Sequence, residues 1–250
     1  MKSSSSLLEH VITAHGGLQR WRSAGALTVR HSSGGFAFAA KFQGRTLSTH
    51  LAQVSTDLQR TVFAAYPGPG RRGVFERGAV RIETDGGRIL ADRLDPRSDL
   101  RSPRHRLWWD KLDLLYFTGS ALWTYMATPF IFATPGFELH ELEPWEQSGE
   151  VWRRLAVTFP AELHTHSRRQ VFYFGADGLL RRQDYTAEEF GERANAAHYC
   201  FDHREFGGLV FPTRRRVFPR RPDDRPRRYP LLVWIDIQAV DVGLLNGPTR

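Results

Sequence analysis

Alternation of apolar and polar side chains with a period of two dominates this chain. From Ala26 to Leu94 the segments ALTVRHSS, GFAFAAKF, LSTHLAQVS, QRTVFAAY, RGVFERG, AVRIETDGG and ILADRL follow one another. After Gly136 the series resumes with FELHELEPW, EVWRRLAVTFP, HTHSRRQVFYF, GLLRRQDYTAEEF, ANAAHYCFDHREF, GLVFPTRRRVFP and PLLVWIDIQAVDV. A period of two puts alternate side chains on opposite faces of a strand. The Gly, Pro and Asp residues between segments are turn formers, so the pattern reads as an antiparallel meander. GADG at 175–178 reads as a hairpin turn. No unit of 20–50 residues repeats, which excludes propellers and solenoids.

Two stretches break the alternation. Leu7, Leu8, Val11, Ile12, His15, Leu18 and Trp21 recur at spacings of three and four, so Ser5 to Arg22 reads as an amphipathic helix that Gly16-Gly17 interrupts. Residues 95–107 form a polar loop. LWWDKLDLLYFTGSALWTYMATPF then reads as one or two helices anchored by Trp109, Leu112, Tyr116, Leu122, Trp123 and Met126, and ended by Pro129. The expected fold is α+β and mainly antiparallel β. It is a strongly curved sheet of about a dozen strands, with the N-terminal helix and the central aromatic helical insertion over its concave face. Residues 1–250 form one domain. A curved, covered sheet encloses a cavity, the usual setting for an apolar ligand.

Composition narrows the function classes. The 41% hydrophobic and 25% charged residues belong to a globular chain rather than a disordered one. Cys200 stands alone, which excludes an intrachain disulfide and a cysteine-based zinc site. The net charge of +8 is local. Arg214 to Arg228, RRRVFPRRPDDRPRR, holds eight Arg against two Asp, a net +6 that leaves about +2 for the rest. Such a cluster suits an anionic group or surface. With Pro219, Pro222, Pro226 and Asp223-Asp224 it also reads as a solvated loop between strands. No nucleic-acid motif accompanies it, so no nucleic acid is expected. MKSSSSLLEHVITAHGG lacks the apolar run of a secretory signal, and Leu112 to Phe137 is too polar to span a bilayer. A cytoplasmic protein without a membrane span is expected.

AHGGLQRW near the start, the long meander, the aromatic insertion and the run LAVTFP…THSRRQVFYFGADGLLRRQDY…AAHYCFDHREFGGLVFPTRRRV together resemble the LolA/LolB-like superfamily. The resemblance covers most of the chain and consists of strands and turns rather than a chemical signature. It implies an unclosed antiparallel barrel plugged by helices around a hydrophobic cavity. Carriers of this superfamily are exported. The fold also serves a cofactor-free biosynthetic enzyme of the violacein pathway, so the resemblance implies a cavity more firmly than an activity.

The residues offer several chemistries. Gly68 to Gly73 spells G-x-G-x-x-G, but the strand-like VFERGAVRIET follows where a dinucleotide site needs a helix, so it reads as a hairpin loop. His164 and His166 have the H-x-H spacing of a metal pair on a strand, and also suit a polar hairpin corner. No metal and no cofactor is expected. In AAHYCFDHREF the more apolar face carries Ala197, Tyr199, Phe201 and His203 and is expected to face the cavity, with His198, Cys200, Asp202 and Arg204 outside. His203, Tyr199 and Asp184 are the candidate proton-handling groups. The competing readings are a core histidine and an exposed Asp184 paired with Arg181 or Arg182. Trp109, Tyr116, Trp123, Phe172 and Phe201 are the candidate substrate-lining residues. Two functions compete. One is a cofactor-free enzyme working by acid–base chemistry on an apolar or aromatic intermediate, through cyclisation, isomerisation or elimination. The other is a non-catalytic carrier of a lipid or other hydrophobe.

Overall fold

The computed structural model describes residues 4–44, 49–100, 102, 105 and 107–244. Alternation across most of the chain produces thirteen strands among the described residues, all in one antiparallel sheet. They are β1 (Ala24–Gly34), β2 (His50–Ser55), β3 (Arg60–Ala64), β4 (Arg71–Glu76), β5 (Ala79–Thr84), β6 (Ile89–Arg93), β7 (Glu138–Gln147), β8 (Glu150–Thr158), β9 (Arg169–Phe174), β10 (Leu180–Thr186), β11 (Asn195–Phe206), β12 (Leu209–Pro219) and β13 (Val233–Leu244). Their order is β6-β5-β4-β3-β2-β1-β13-β12-β11-β10-β9-β8-β7. The chain enters at the middle, walks out to β6, crosses to the opposite edge at β7, and walks back until β13 pairs with β1. The edge strands β6 and β7 do not pair, so the barrel is unclosed.

The helices fill the space that this sheet surrounds. α1 (Ser4–Ala14) and α2 (Leu18–Ser23) part at Gly16-Gly17, as the sequence predicts. α1 packs on β7, β8 and the short 3-10 turn Phe130–Ala133, while Trp21 of α2 stacks on Phe130 at 4.6 Å between ring centroids. α4 (Pro96–Asp99) is one turn inside the expected 95–107 loop. α5 (Lys111–Ala127) is the central helix. Asp110 caps it, accepting from the backbone of Leu112 and Asp113, while the Asp113 carboxylate accepts from the Asp110 amide. Every residue from Leu112 to Ala127 is buried, because the helix lies against β2–β6 on one side and faces the other half of the sheet on the other. Gly119 permits that closeness. A Cβ there would sit 2.4 Å from the Phe75 Cβ, and Thr61 Oγ1 donates to the Gly119 carbonyl at 2.9 Å.

Two segments differ from their sequence reading. GFAFAAKF is not a strand but the one-turn helix α3 (Phe36–Ala39). Pairing of β1 with β13 ends at Gly34 opposite Trp234. Gly35, at φ 129°, turns the chain so that the amides of Phe36 and Ala37 bond to the carbonyls of Leu231 and Leu232. HTHSRRQVFYF becomes strand only from Arg169, since the two histidines bond to α5 instead. Leu47 and Ser48 of LSTHLAQVS lie outside the described residues. The sheet is packed on both faces: a large core surrounds α5, and a smaller cluster of Trp152, Tyr173, Ala197 and Tyr199 lies on the other face.

Candidate functional site

The interior holds a cavity of about 30 Å³ between α5, α3 and the middle of the sheet, room for about one water molecule. Phe38, Phe117, Ala121, Leu122, Val233 and Ile235 supply its apolar wall. His31, Ser33, Thr118, Tyr125 and Tyr185 supply the polar part. His31 has no hydrogen-bond partner at Nδ1, and burial pulls its pKa down to about 4, with His50 adding to the effect.

Behind the two tyrosines runs a buried polar chain. Tyr125 Oη lies 2.8 Å from His166 Nε2 and 3.4 Å from Tyr185 Oη. His166 Nδ1 faces Glu189 at 3.2 Å, and the His166 ring stacks on Tyr185 at 4.5 Å. Tyr185 Oη lies 3.5 Å from His198 Nδ1. On the other side of that ring, Arg215 Nη1 lies 3.5 Å from His198 Nε2 and 3.4 Å from Cys200 Sγ, and Arg215 Nη2 donates to the Tyr125 carbonyl at 3.2 Å. Burial raises both tyrosine pKa values and lowers that of His198, so all three are neutral at pH 7. Burial also raises the Cys200 thiol, which suits it to packing rather than nucleophilic attack.

This chain answers the H-x-H question. His164 Nδ1 meets Tyr116 Oη at 3.0 Å and His166 meets Tyr125, so the pair clamps two tyrosines of α5. Among the described residues no group of three or more potential metal ligands comes together. The G-x-G-x-x-G stretch lies in the β3–β4 hairpin and enters β4, as its strand-like sequence implies.

The faces of β11 are opposite to the expectation. His198 and Cys200 point inward to α5, while Ala197 and Tyr199 pack with Trp152 and Tyr173 on the other face. The physical reason is Arg215. It pairs with Cys200 across β12, and its guanidinium lies over the Tyr125 ring at 4.8 Å, which makes the inward face more polar than alternation suggests. Phe201 is half exposed on Tyr199 with Arg214 over its ring, so it lines no interior space. Asp202, at φ 54°, breaks the alternation and precedes His203, whose ring lies 6.4 Å from buried His15.

The three candidate proton-handling residues are therefore not brought together. Asp184 and Tyr199 share the outer face, joined by Arg182. That guanidinium donates to both Asp184 oxygens at 2.7 Å and to Tyr199 Oη at 3.3 Å. Tyr173 Oη also donates to Asp184 at 2.9 Å. Asp184 is buried with its arginine rather than exposed at a strand end. Trp109, Tyr116, Trp123 and Phe172 are buried core residues, but the cavity is walled by their α5 neighbours Phe117, Ala121, Leu122 and Tyr125. Spacing of four along α5 links Phe117, Ala121 and Tyr125, a signal obscured in the sequence because apolar residues occur on every turn of the helix.

The basic segment is also less of a loop than expected. Arg214, Arg215 and Arg216 belong to β12; Arg214 pairs with Asp202 at 3.1 Å, Arg216 with Asp236 at 2.7 Å, and Arg215 is buried. Arg220 pairs with Asp224. Arg221, Arg225, Arg227 and Arg228 are exposed. A separate open cleft of about 1560 Å³ lies at the loops 158–169 and 186–194, lined by charges of both signs.

No protein-family model and no curated protein sequence matches this chain. Solved structures do match it. A LolA superfamily protein from Nitrosomonas europaea superposes with a TM-score of 0.54 at 10% identity, over 98% of this chain and 96% of that one. A DUF1329 family protein from Desulfovibrio piger gives 0.55 at 11% identity, over 97% and 94%. A domain assigned as an outer-membrane lipoprotein-sorting protein, from Vibrio parahaemolyticus, gives 0.52 at 8% identity, over 98% and 96%. The chain has the LolA-superfamily fold over nearly its whole length. At these identities the likeness shows the fold alone.

Proposed function

We propose that this protein binds a hydrophobic small molecule, of the lipid or acyl-chain kind, without transforming it. The observation that carries the reading is the arrangement of the interior: an unclosed sheet wrapped around a mostly apolar helix that is buried on every side, with a cavity between them. The likeness to a domain assigned to lipoprotein sorting supports the same reading. Ligand sites for drug-sized molecules run to roughly 300–1,000 Å³, so a volume of about 30 Å³ is a closed state and cargo has to displace α5 or α3 to enter. The anionic partner expected of the basic segment would meet Arg221, Arg225, Arg227 and Arg228, the arginines of that segment left exposed.

Acid–base catalysis has one observation in its favour, since Tyr125, Tyr185 and His31 all wall the cavity. Burial holds each of them neutral at pH 7. Neutral hydroxyls and an imidazole with a free nitrogen suit hydrogen bonding to one polar group of a cargo better than proton transfer. The test is native mass spectrometry of the purified protein, followed by titration with a fluorescent fatty-acid probe. A bound hydrophobe and saturable probe uptake are expected. Ala121→Phe, which fills the cavity, is expected to weaken uptake at least tenfold. Uptake that is unchanged in a folded Ala121→Phe protein would overturn the assignment of the site.

A further inference from the structure

The segment joining β12 to β13 is held against the outer face of the sheet. Arg182 donates to the Asp224 carbonyl, Arg220 pairs with Asp224, and the Arg227 amide bonds to the Pro219 carbonyl at 2.7 Å. These bonds order the segment and leave Arg221, Arg225, Arg227 and Arg228 in solvent, none of them ion-paired to a described residue. Tyr229, next in the chain, is 82% exposed. Two residues later the Leu231 carbonyl accepts from the Phe36 amide at 3.1 Å, which places α3 beside the basic segment. Phe36 is 56% exposed and Phe42, just past α3, is 75% exposed. One rim thus presents three exposed aromatic rings next to four free guanidinium groups.

The same two segments wall the interior. Phe38 of α3 and Val233, the first residue of β13, both line the cavity. The rim therefore belongs to the same two segments that wall the closed cavity, and forms the lip at that end of it. We infer that this lip is a membrane-docking surface that sets the cavity mouth against an anionic phospholipid bilayer. Arginines attract the negative lipid surface, and aromatic rings prefer the boundary between headgroups and acyl chains. A nucleic-acid duplex would use the charges but leaves Phe36 and Phe42 without a role, whereas a single strand would stack its bases on them, so an oligonucleotide is the competing ligand in the test. For the cargo exchanged at the lip, the inference rests on the carrier reading; docking itself is measured without cargo, so the two can fail separately.

The test is co-sedimentation of the full chain with two kinds of vesicle: phosphatidylcholine alone, and phosphatidylcholine with about one third phosphatidylglycerol. Binding to the anionic vesicles that weakens with added salt, with several-fold less binding to the neutral ones, is expected. Arg225→Gln/Arg227→Gln/Arg228→Gln should lower the partition coefficient about 100-fold, three lost charges at roughly 1 kcal/mol each. Phe36→Ser/Tyr229→Ser should lower it several-fold while leaving the salt dependence in place. All five side chains are exposed, so circular dichroism should show both variants folded. Equal binding to the two vesicles, binding to neither, or an arginine variant that binds like the parent would overturn the inference. So would a preference for a single-stranded DNA or RNA oligonucleotide over anionic vesicles.

Discussion

His15, His31 and His203 each have a pKa of about 4, lowered chiefly by burial. His203 is lowered further by His15, and His31 by His50, whereas the bond from His15 Nδ1 to the Val11 carbonyl opposes the effect of burial. In the unfolded chain these imidazoles titrate near 6.5. The folded state therefore binds fewer protons between about pH 4 and 6.5, so their contribution is fully present above 6.5 and is lost as pH falls toward 4. Urea denaturation midpoints are expected to be level from pH 7 to 8 and to fall by pH 5. The loss should be on the order of 1–2 kcal/mol per histidine, and His31→Phe should reduce the slope. The outer face makes a different claim at the same scale. Arg182→Met leaves the Asp184 carboxylate buried with little beyond Arg220 at 3.7 Å to balance it. A loss of about 3–5 kcal/mol in urea denaturation is expected, most of it recovered by Arg182→Met/Asp184→Leu. If the double variant is as unstable as the single, the pair is not the source of the penalty.

At the scale of elements, α5 organises the interior. Gly119→Ala would gain up to about 1 kcal/mol of helix propensity but would drive a methyl group into Phe75. A net destabilisation of about 1–3 kcal/mol, with a lower melting temperature, is expected. Tyr125→Phe removes the hydroxyl shared by His166 and Tyr185 and should cost about 1–2 kcal/mol. The helix over this region was legible in sequence from its apolar anchors and from Pro129 as terminator, and so was the break between α1 and α2 at Gly16-Gly17; the start of α5 at its Asp110 cap was not. α3 was not legible, because GFAFAAKF alternates weakly and its turn is imposed by hydrogen bonds to Leu231 and Leu232, almost two hundred residues away. The candidate site residues on β11 failed for a related reason. Apolar character assigned Tyr199 and Phe201 to the interior, whereas a second packed layer on the outer face had already claimed Tyr199.

For the whole molecule, the closed cavity sets an expectation about motion. If cargo enters beneath α5, hydrogen exchange of the α5 amides should speed up during loading, while that of β11–β13 should not change. Unchanged exchange in α5 on saturable probe binding would place the cargo elsewhere, with the open cleft beside 186–194 the next site to test. The sequence alone determined the all-antiparallel character and the two helical interruptions, because period and turn chemistry are local properties, while the unclosed, helix-filled outline entered as what the family resemblance implied and the structure shows it. Only the tertiary structure decided that β13 returns to pair with β1, that both faces of the sheet are packed, that Arg215 lies inside while Arg225 to Arg228 frame a lip, and that Asp184 and Tyr199 sit apart from His203. These outcomes depend on which distant surfaces compete for the same face, and no local pattern carries that information.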